Sequence, residues 1–415
     1  MRIHNIECVD QGDSQLLSGR VDELTLWFRL PASLEIDPAD ASPFVTAAFI
    51  PAMLLGEALS VDDEYRVSTG LAASLPRLHD IYSAWNPLFK PVRLEARLAQ
   101  SQAANPGGGC FFSGGVDGTY SLLKNLDTVR YALLINGFDF NMDDEAWGAM
   151  VARNRQFCQA MDRELVAIET NFKSFTSAFG LARAANYGSV LAAIAQVLRL
   201  ETVYISTGDS YRWVVPEGSH VLTDPLWSTE VTTIVHDGLE ANRSKKIAFI
   251  RNYPLAMENL WVCWESPDYN CGRCSKCIRT WIALTLNGIE DFHFVNEVSI
   301  KDLKSLSVTD EDDRIFFEAF MEEARDKELL TIYKILRNRI LMFEFRTLVR
   351  KTLALCFPRL DRWLLARRPA ADRQVEIGFL PRYSDSLVLA RVRAHRAAGE
   401  LHQEVPRIGS VYEGG

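Results

Sequence analysis

Apolar and polar positions alternate regularly only in the middle of the chain. There, short apolar runs that suit buried strands alternate with longer stretches whose apolar positions recur with helical spacing. The predicted strands cover residues 110–112, 130–135, 165–169, 202–206 and 232–236. The predicted helices begin near Gly118 and cover residues 145–161, 190–200 and 243–251. This alternation predicts an α/β fold with a doubly wound parallel sheet, whose ligands bind at the carboxyl ends of the strands.

The two flanking regions follow different patterns. The N-terminal part combines strand-like runs at 24–30 and 91–98 with an apolar helix at 42–57. The C-terminal part contains a long amphipathic stretch over 315–345 and an Arg- and Ala-rich tail from Pro369 onward. The predicted organisation is an N-terminal α+β domain over 1–105, a central α/β domain over 106–292 and a helical, basic region over 293–415.

The composition is typical of a globular protein, with 48% hydrophobic and 24% charged residues in a chain of 415. No apolar run approaches the roughly 20 residues that a membrane-spanning helix needs. Residues 1–5 lack the basic-then-apolar layout of a secretory signal. We therefore expect a cytoplasmic protein with no membrane partner. These features do not determine the oligomeric state, and a homodimer is compatible with them.

The net charge of −9 is unevenly distributed along the chain. Residues 331–407 carry sixteen Lys or Arg against seven Asp or Glu, a local net charge of +9. Because Glu413 is the only charged residue beyond that segment, residues 1–330 carry −17. A basic segment on an acidic body indicates either an acidic partner protein or nucleic acid, or docking of the segment on its own chain. The second interpretation is favoured, because charge patterning alone is weak evidence for a partner.

A glycine-rich turn follows the first predicted strand of the central region. It consists of Ser113, Gly114, Gly115, Val116, Asp117, Gly118 and Thr119. Glycine lets a backbone approach an anion closely, and the amides and dipole of a helix start favour negative charge. Ser113 and Thr119 can add hydroxyl donors, and Asp117 can hold Mg²⁺ against a pyrophosphate. The sequence therefore predicts a phosphate-binding turn, and the alternative is a plain tight turn between a strand and a helix.

Four of the eight cysteines fall within fifteen residues, at Cys263, Cys271, Cys274 and Cys277. Thiolates two residues apart can reach one ion from a tight turn, and four complete the tetrahedral shell of structural zinc. Arg273 and Lys276 would offset the charge of the thiolates. An iron–sulfur cluster and free buried cysteines are the alternatives. The spacing favours zinc.

The turn and the cysteines together resemble one known family. Ser113-Gly114-Gly115-Val116-Asp117 is similar to the Ser-Gly-Gly-x-Asp-Ser signature of PP-loop ATP pyrophosphatases, with Gly118 in place of the final Ser. Within that superfamily the cysteine pattern most resembles 7-cyano-7-deazaguanine synthase of queuosine biosynthesis. Residues 243–247 resemble the Ser-Lys helix start that this group places before its zinc knuckle. The resemblance covers about 180 of the 415 residues, from 110 to 290.

The resemblance implies a HUP/PP-loop fold that binds ATP, Mg²⁺ and Zn²⁺. It assigns catalytic roles to Ser113, Asp117 and Lys245. It assigns nucleotide binding to the whole turn from Ser113 to Thr119 and to Asn136, Gly208 and Asp209. Asn136 is alternatively a simple turn residue, and Gly208 and Asp209 are alternatively part of an ordinary loop at a strand end.

The implied reaction is adenylation of a carboxylate or amide oxygen, followed by displacement of AMP by ammonia. A modified-base or phage-defence pathway is as well supported as queuosine synthesis. Sulfur transfer to tRNA and a non-catalytic nucleotide-binding subunit are the alternatives. The loop over 224–230 is predicted to contact the substrate, with Trp227 stacking on a planar ring and Glu230 binding an amine. His236 is predicted to be a structural residue at a strand end rather than a base.

Overall fold

The computed structural model describes residues 1–100, 105–138, 142–263, 265–266, 269–309, 311–356, 377, 389–390, 392–394 and 396. The predicted tail from Pro369 onward lies outside these residues, apart from the few positions just given. The strands are β1 (Arg2–Asp10), β2 (Ser14–Val21), β3 (Leu24–Pro31), β4 (Leu59–Val61), β5 (Val67–Ser68), β6 (Leu94–Glu95), β7 (Leu98–Ala99), β8 (Gly108–Phe111), β9 (Val129–Asn136), β10 (Glu164–Thr170), β11 (Thr202–Ser206) and β12 (Thr233–Asp237). The helices are α1 (Ser42–Leu55), α2 (Thr69–Trp85), α3 (Val116–Lys124), α4 (Asp144–Ala160), α5 (Phe172–Ser177), α6 (Arg183–Leu198), α7 (Arg243–Ile250), α8 (Pro254–Asn259), α9 (Ser275–Leu286), α10 (Ile300–Ser305), α11 (Glu311–Asp326) and α12 (Leu330–Cys356).

The protein is an α/β protein built on a large, mixed and mostly parallel sheet. The ten strands lie in the order β12-β11-β8-β9-β10-β3-β2-β1-β4-β6. The run from β12 to β10 is parallel throughout, which confirms the prediction of a parallel sheet for the central region. Its order reverses between β8 and β11, and ligands of such sheets bind at the carboxyl ends of the strands beside this reversal.

The N-terminal strands extend the same sheet. β3 pairs antiparallel with β10, with Arg29 opposite Glu169, and the two side chains form an ion pair of 3.0 Å. β1, β2 and β3 then form an antiparallel meander. Helix α1 is buried along its whole length and packs against α6, because a helix that is apolar all round has no face suited to water. The predicted N-terminal and central regions therefore share one sheet and one apolar core.

A second apolar core lies among α3, α4, α7, α9, α11 and α12, on the side of the cysteine cluster. The amphipathic stretch over 315–345 is helical but divided, because α11 ends at Asp326 and α12 begins at Leu330. The break is at Glu328, whose φ of 59° is left-handed and cannot continue an α-helix. In the part of the chain that the structure describes, no helix is both long enough and apolar enough to cross a membrane.

Candidate nucleotide site and metal centre

The turn after β8 is fixed by glycine geometry and by one long-range hydrogen bond. Gly114 has a φ of 80°, and a Cβ there would lie 3.3 Å from the carbonyl oxygen of Asn259. Its own carbonyl accepts a hydrogen bond of 2.9 Å from the Trp261 amide, which lies two residues before the first clustered cysteine. A side chain at Gly114 would therefore strain the backbone and push away the segment that holds the turn.

The turn leaves a row of amide groups without internal partners. Helix α3 begins at Val116, and its first turn cannot satisfy its own N–H groups. Thr119 donates to the Gly115 carbonyl at 2.9 Å. For the amides of residues 114–118, the described residues provide no hydrogen-bond acceptor. Such a row of donors at a helix start is suited to an anion.

These amides lie beside a cavity of about 360 Å³ at the carboxyl ends of β8, β9 and β11. Ser113, Gly115, Val116, Asp117 and Gly118 contribute to its floor. The cavity therefore lies where the strand order reverses, as the prediction of a ligand site in a doubly wound sheet requires.

Asp117 lies in this cavity with two cations in direct contact. Lys246 donates to its Oδ1 at 2.9 Å, and Arg243 donates to its Oδ2 at 3.1 Å. Lys246 is buried and also donates to the carbonyl of Thr207. Burial alone would raise the pKa of Asp117, but the charges of Lys246 and Arg243 outweigh it, so the pKa lies below its usual value. Asp117 is therefore ionised at neutral pH and anchors two basic side chains.

One wall of the cavity is basic. We call Arg243, Lys276 and Arg279, which line it from α7 and α9, the cationic wall. The guanidinium of Arg279 pairs with Asp313 of α11 and lies 5.6 Å from the ring centre of Phe316. Basic side chains and a row of amides at one cavity can together hold the phosphates of a nucleotide.

The other wall is apolar. We call Phe138, Tyr187 and Leu191 the apolar wall; the Phe138 and Tyr187 rings lie 5.1 Å apart between centres. Glu217 and Ser219 add polar atoms at the same cavity. This division into a charged and an apolar side is typical of sites for ligands that carry both an anion and a planar ring.

The predicted site residues do not all meet in the cavity. Gly208 lines it, but Asp209 lies in a smaller neighbouring cavity of about 40 Å³. Thr119 is buried outside the lining. Asn136 is engaged with its own loop, since its side chain bonds both the amide and the carbonyl of Met142. Lys245 is exposed, and the adjacent Lys246 takes the place beside Asp117.

Close packing explains why position 118 is glycine rather than the Ser of the family signature. A Cβ at this position would lie 2.9 Å from the carbonyl oxygen of Phe111 at the end of β8. Helix α3 crosses the strand so closely that only glycine avoids this contact. In this chain, a Ser at position 118 would therefore cost packing energy.

The cysteine cluster has the geometry of a metal site. The Sγ atoms of Cys263, Cys271, Cys274 and Cys277 all lie within 4.8 Å of one another. Cys263 and Cys274 are 3.8 Å apart, and Cys271 and Cys277 are 3.9 Å apart. A tetrahedral Zn²⁺ with bonds of about 2.3 Å places its sulfur ligands about 3.8 Å apart. The four residues thus fit a structural zinc ion, as predicted from their spacing.

Backbone donors and a buried amide support the four sulfur atoms. The amides of Arg273 and Cys274 both donate to Cys271 at 3.3 Å. Asn270 is fully buried and accepts the Val262 amide at 2.8 Å while donating to the Leu260 carbonyl at 2.8 Å. Hydrogen bonds, chiefly from the Cys277 thiol, hold the pKa of Cys274 below its usual value. N–H donors around ligating atoms orient them and favour the thiolate form that binds metal.

The metal centre and the cavity are joined through helix α9. Cys274 is the N-cap of this helix, and its sulfur accepts the Cys277 amide at 3.4 Å. Lys276 and Arg279 follow within the first two turns, three residues apart, and both line the cavity. Residues three apart share a helix face. The cluster therefore fixes the start of the helix that carries two of the three cationic wall residues.

The loop over 224–230 lies away from the cavity. Trp227 is fully buried and packs on Phe49 with ring centres 5.7 Å apart. Glu230 accepts the Ser68 hydroxyl and the Gly70 amide, both at 2.7 Å. These contacts tie the loop to the N-terminal region. Neither Trp227 nor Glu230 lines the cavity, so the structure gives no support to the predicted substrate contacts of these two residues.

His236 lies behind the cavity in a buried network. Its Nδ1 contacts Asp224 Oδ2 at 2.8 Å, and Ser219 donates to the same oxygen at 2.7 Å. Asp224 also accepts the His220 amide at 3.2 Å. The network orders residues 219–224, of which Ser219 lines the cavity, so the structure agrees with a structural role for His236.

Sequence reasoning missed Arg243, Lys246 and Arg279 as site residues. The signal that was present is their position in the first two turns of two helices, which begin after Asn242 and after Cys274. Comparison of the chain with protein-family models, with curated proteins and with solved structures finds no match.

Proposed function

We propose that the chain is an ATP-dependent carbon–nitrogen ligase of the PP-loop type, similar to 7-cyano-7-deazaguanine synthase. A carboxylate or amide oxygen of the substrate attacks the α-phosphorus of ATP, and pyrophosphate leaves. Ammonia then attacks the activated carbon, loses a proton, and AMP leaves. Acting on an acid, this cycle yields an amide. Adenylation of that amide oxygen by a second ATP then yields a nitrile without further ammonia, because the amide nitrogen loses its two protons as AMP leaves.

The observation that carries this proposal is that the row of amides at residues 114–118 and three cations lie at the same cavity. Negative charge accumulates on the pyrophosphate as the α-phosphorus–oxygen bond breaks. Donors held in place before the reaction stabilise that charge without reorganisation. The turn and the cationic wall supply such donors to the same cavity.

The role of Mg²⁺ in this site depends on Asp117. Its carboxylate is paired with Lys246 and Arg243, so it would have to release at least Arg243 before it could coordinate an ion. When bound, Mg²⁺ would neutralise part of the triphosphate charge. Zn²⁺ at the four cysteines would be structural, because four thiolates complete its shell and leave no position for a substrate.

Sulfur transfer is less well supported by the cavity. None of its described lining residues is a cysteine. Cys110 is buried one strand length before the turn, and burial raises its pKa well above its usual value. A nucleophilic cysteine needs an accessible thiolate. The structure therefore offers less for a sulfur carrier than for direct amination.

A non-catalytic nucleotide-binding subunit is the second candidate function. It is favoured by the double ion pair of Asp117, which occupies the carboxylate predicted to hold Mg²⁺. Such a subunit would bind ATP without releasing pyrophosphate.

The decisive experiment incubates the zinc-loaded protein with ATP, Mg²⁺, ammonia and 7-carboxy-7-deazaguanine, with mass analysis of the products. AMP, pyrophosphate and a nitrile are expected. AMP formed only with a different acid would keep the adenylation and reject this substrate. ATP binding without AMP from any acid would favour the binding subunit, and labelled sulfide incorporation would favour sulfur transfer.

A further inference from the structure

Arg279 is positioned by two separate parts of the structure, the start of α9 at the cysteine cluster and helix α11. It projects from α9, whose N-cap is the clustered Cys274, and it pairs with Asp313 from the C-terminal helical region. Its charged group lies 5.6 Å from the ring centres of both Phe316 and Phe317. These contacts hold the guanidinium at the cavity lining rather than leaving it in solvent.

The chemistry of this arginine suits a phosphate more than a purely structural tie. A guanidinium has five N–H donors in a fixed planar fork. The ion pair with Asp313 uses one terminal nitrogen, Nη2, and the Arg279 side chain keeps 24% of its surface exposed. The group thus keeps donor capacity while its position is fixed, and a phosphate oxygen is the acceptor that such a fork binds best.

Asp313 is itself held in place. It is buried, and it accepts the Thr309 amide at 3.0 Å and the Thr309 hydroxyl at 2.7 Å. Its carboxylate is therefore an anchor with a fixed position. Because Phe316 of the same helix also lines the cavity, α11 forms part of the site.

We propose that Arg279 binds a phosphate group of the nucleotide and that Asp313 positions it from the C-terminal helical region. The inference rests on the proposed function, since it requires a nucleotide in this cavity. The inference assigns a specific role to α11, which lies outside the segment of family resemblance. Without α11 the guanidinium would lose its anchor and its aromatic neighbours.

The test measures binding of Mg²⁺–ATP and of inorganic pyrophosphate by calorimetry to the zinc-loaded full chain. Arg279→Ala is expected to weaken both ligands roughly 10- to 100-fold, as loss of a charged hydrogen bond does. Arg279→Lys keeps a positive charge without the fork and is expected to fall in between. Asp313→Asn is expected to weaken pyrophosphate less than Arg279→Ala does, with partial rescue by Asp313→Glu.

The matched control is Arg212→Ala. Arg212 also ties a loop to α11, through Glu322, but it lies outside the cavity lining. If Arg279 only tethers α11, both alanine variants will change binding alike, and the inference is overturned.

Unchanged affinity of Arg279→Ala in a protein that binds ATP overturns the inference alone. A wild-type chain that binds neither ligand overturns the inference and the proposed function together. If Arg279→Ala does not fold, the comparison of Arg279→Lys with the wild type decides.

Discussion

The two walls of the cavity are built in different ways. The apolar wall belongs to the core that the N-terminal and central regions share, and its position follows from the sheet and α6. The cationic wall depends on α7 and α9, on ion pairs with Asp117 and Asp313, and on the cysteine cluster at the start of α9. The apolar wall therefore follows from the folding of the sheet, whereas the cationic wall depends on ion pairs and on the cysteine cluster.

The largest effect is expected from breaking the metal centre with Cys277→Ser. A structural zinc typically contributes on the order of 10 kcal/mol to its folded unit. We expect zinc content to fall, α9 to lose amide protection in hydrogen exchange, and nucleotide binding to disappear, while α6 stays protected. The control is Cys356→Ser, at an exposed cysteine outside the cluster. Equal loss of protection in α6 and α9 would contradict the separate origin of the two walls.

The next largest effect is expected from Asp117→Asn, which leaves buried Lys246 without its charged partner. Removing one member of a buried pair costs roughly 3–5 kcal/mol. The exposed pair of Arg2 and Asp62 is the control, and Asp62→Asn is expected to cost less than about 1 kcal/mol. Urea unfolding measures the free energy of unfolding of the two variants.

The same variant has a defined pH dependence. Because the pKa of Asp117 is lower in the folded protein than its ordinary 3.8, its contribution is complete above that value. The contribution is lost as the pH falls through the lower folded pKa. The stability difference between wild type and Asp117→Asn should therefore be constant near neutrality and shrink below about pH 4. A difference that grows on acidification would show that the ion pairs are not its source.

A moderate effect is expected from Gly118→Ser, which restores the family signature. The new Cβ would meet the Phe111 carbonyl at 2.9 Å, so we expect a loss of about 1–3 kcal/mol and no gain in ATP binding. Gly148→Ser is the control, because Gly148 is also helical and has open space around its Cβ position. Thermal unfolding compares them, and a stabilised Gly118→Ser variant would show that α3 can shift away from β8.

The smallest effect is expected at the apolar wall. Tyr187→Ala removes a ring that faces the cavity beside Phe138. We expect ATP to bind roughly 3- to 10-fold more weakly, the range of a lost aromatic contact, and pyrophosphate to bind within about twofold of wild type. Calorimetry with both ligands tests the division of labour. An equal loss of affinity for ATP and for pyrophosphate would place the phosphates against the apolar wall.

The sequence predicted the central sheet well because its strands are continuous apolar runs. β11 was predicted with the bounds that the structure shows, at 202–206. β1 was missed because its side chains are mostly exposed and carry little pattern, with only Ile3 and Ile6 fully buried. The break at Glu328 was missed because it depends on a backbone angle rather than on a Gly or Pro.

Only the parts of the site that are local in sequence were predicted. The turn and the four cysteines are local in sequence, so their spacing carries their geometry. Lys245 was assigned in place of Lys246 because adjacent helical residues point about 100° apart, and only the packing of α7 decides which one faces Asp117. Arg279 could not be assigned, because its direction depends on how the cysteine cluster orients α9 towards the cavity.

The hydrogen bond from Trp261 to Gly114 bears on how the protein is made. Its two ends lie far apart along the chain, and the first cysteine follows Trp261 by only two positions. A polypeptide still emerging from the ribosome would contain the whole glycine turn long before the segment that braces it has been synthesised. Nascent chains that end before Trp261 should therefore be unable to retain a nucleotide, and this competence should appear only after translation has passed Cys277.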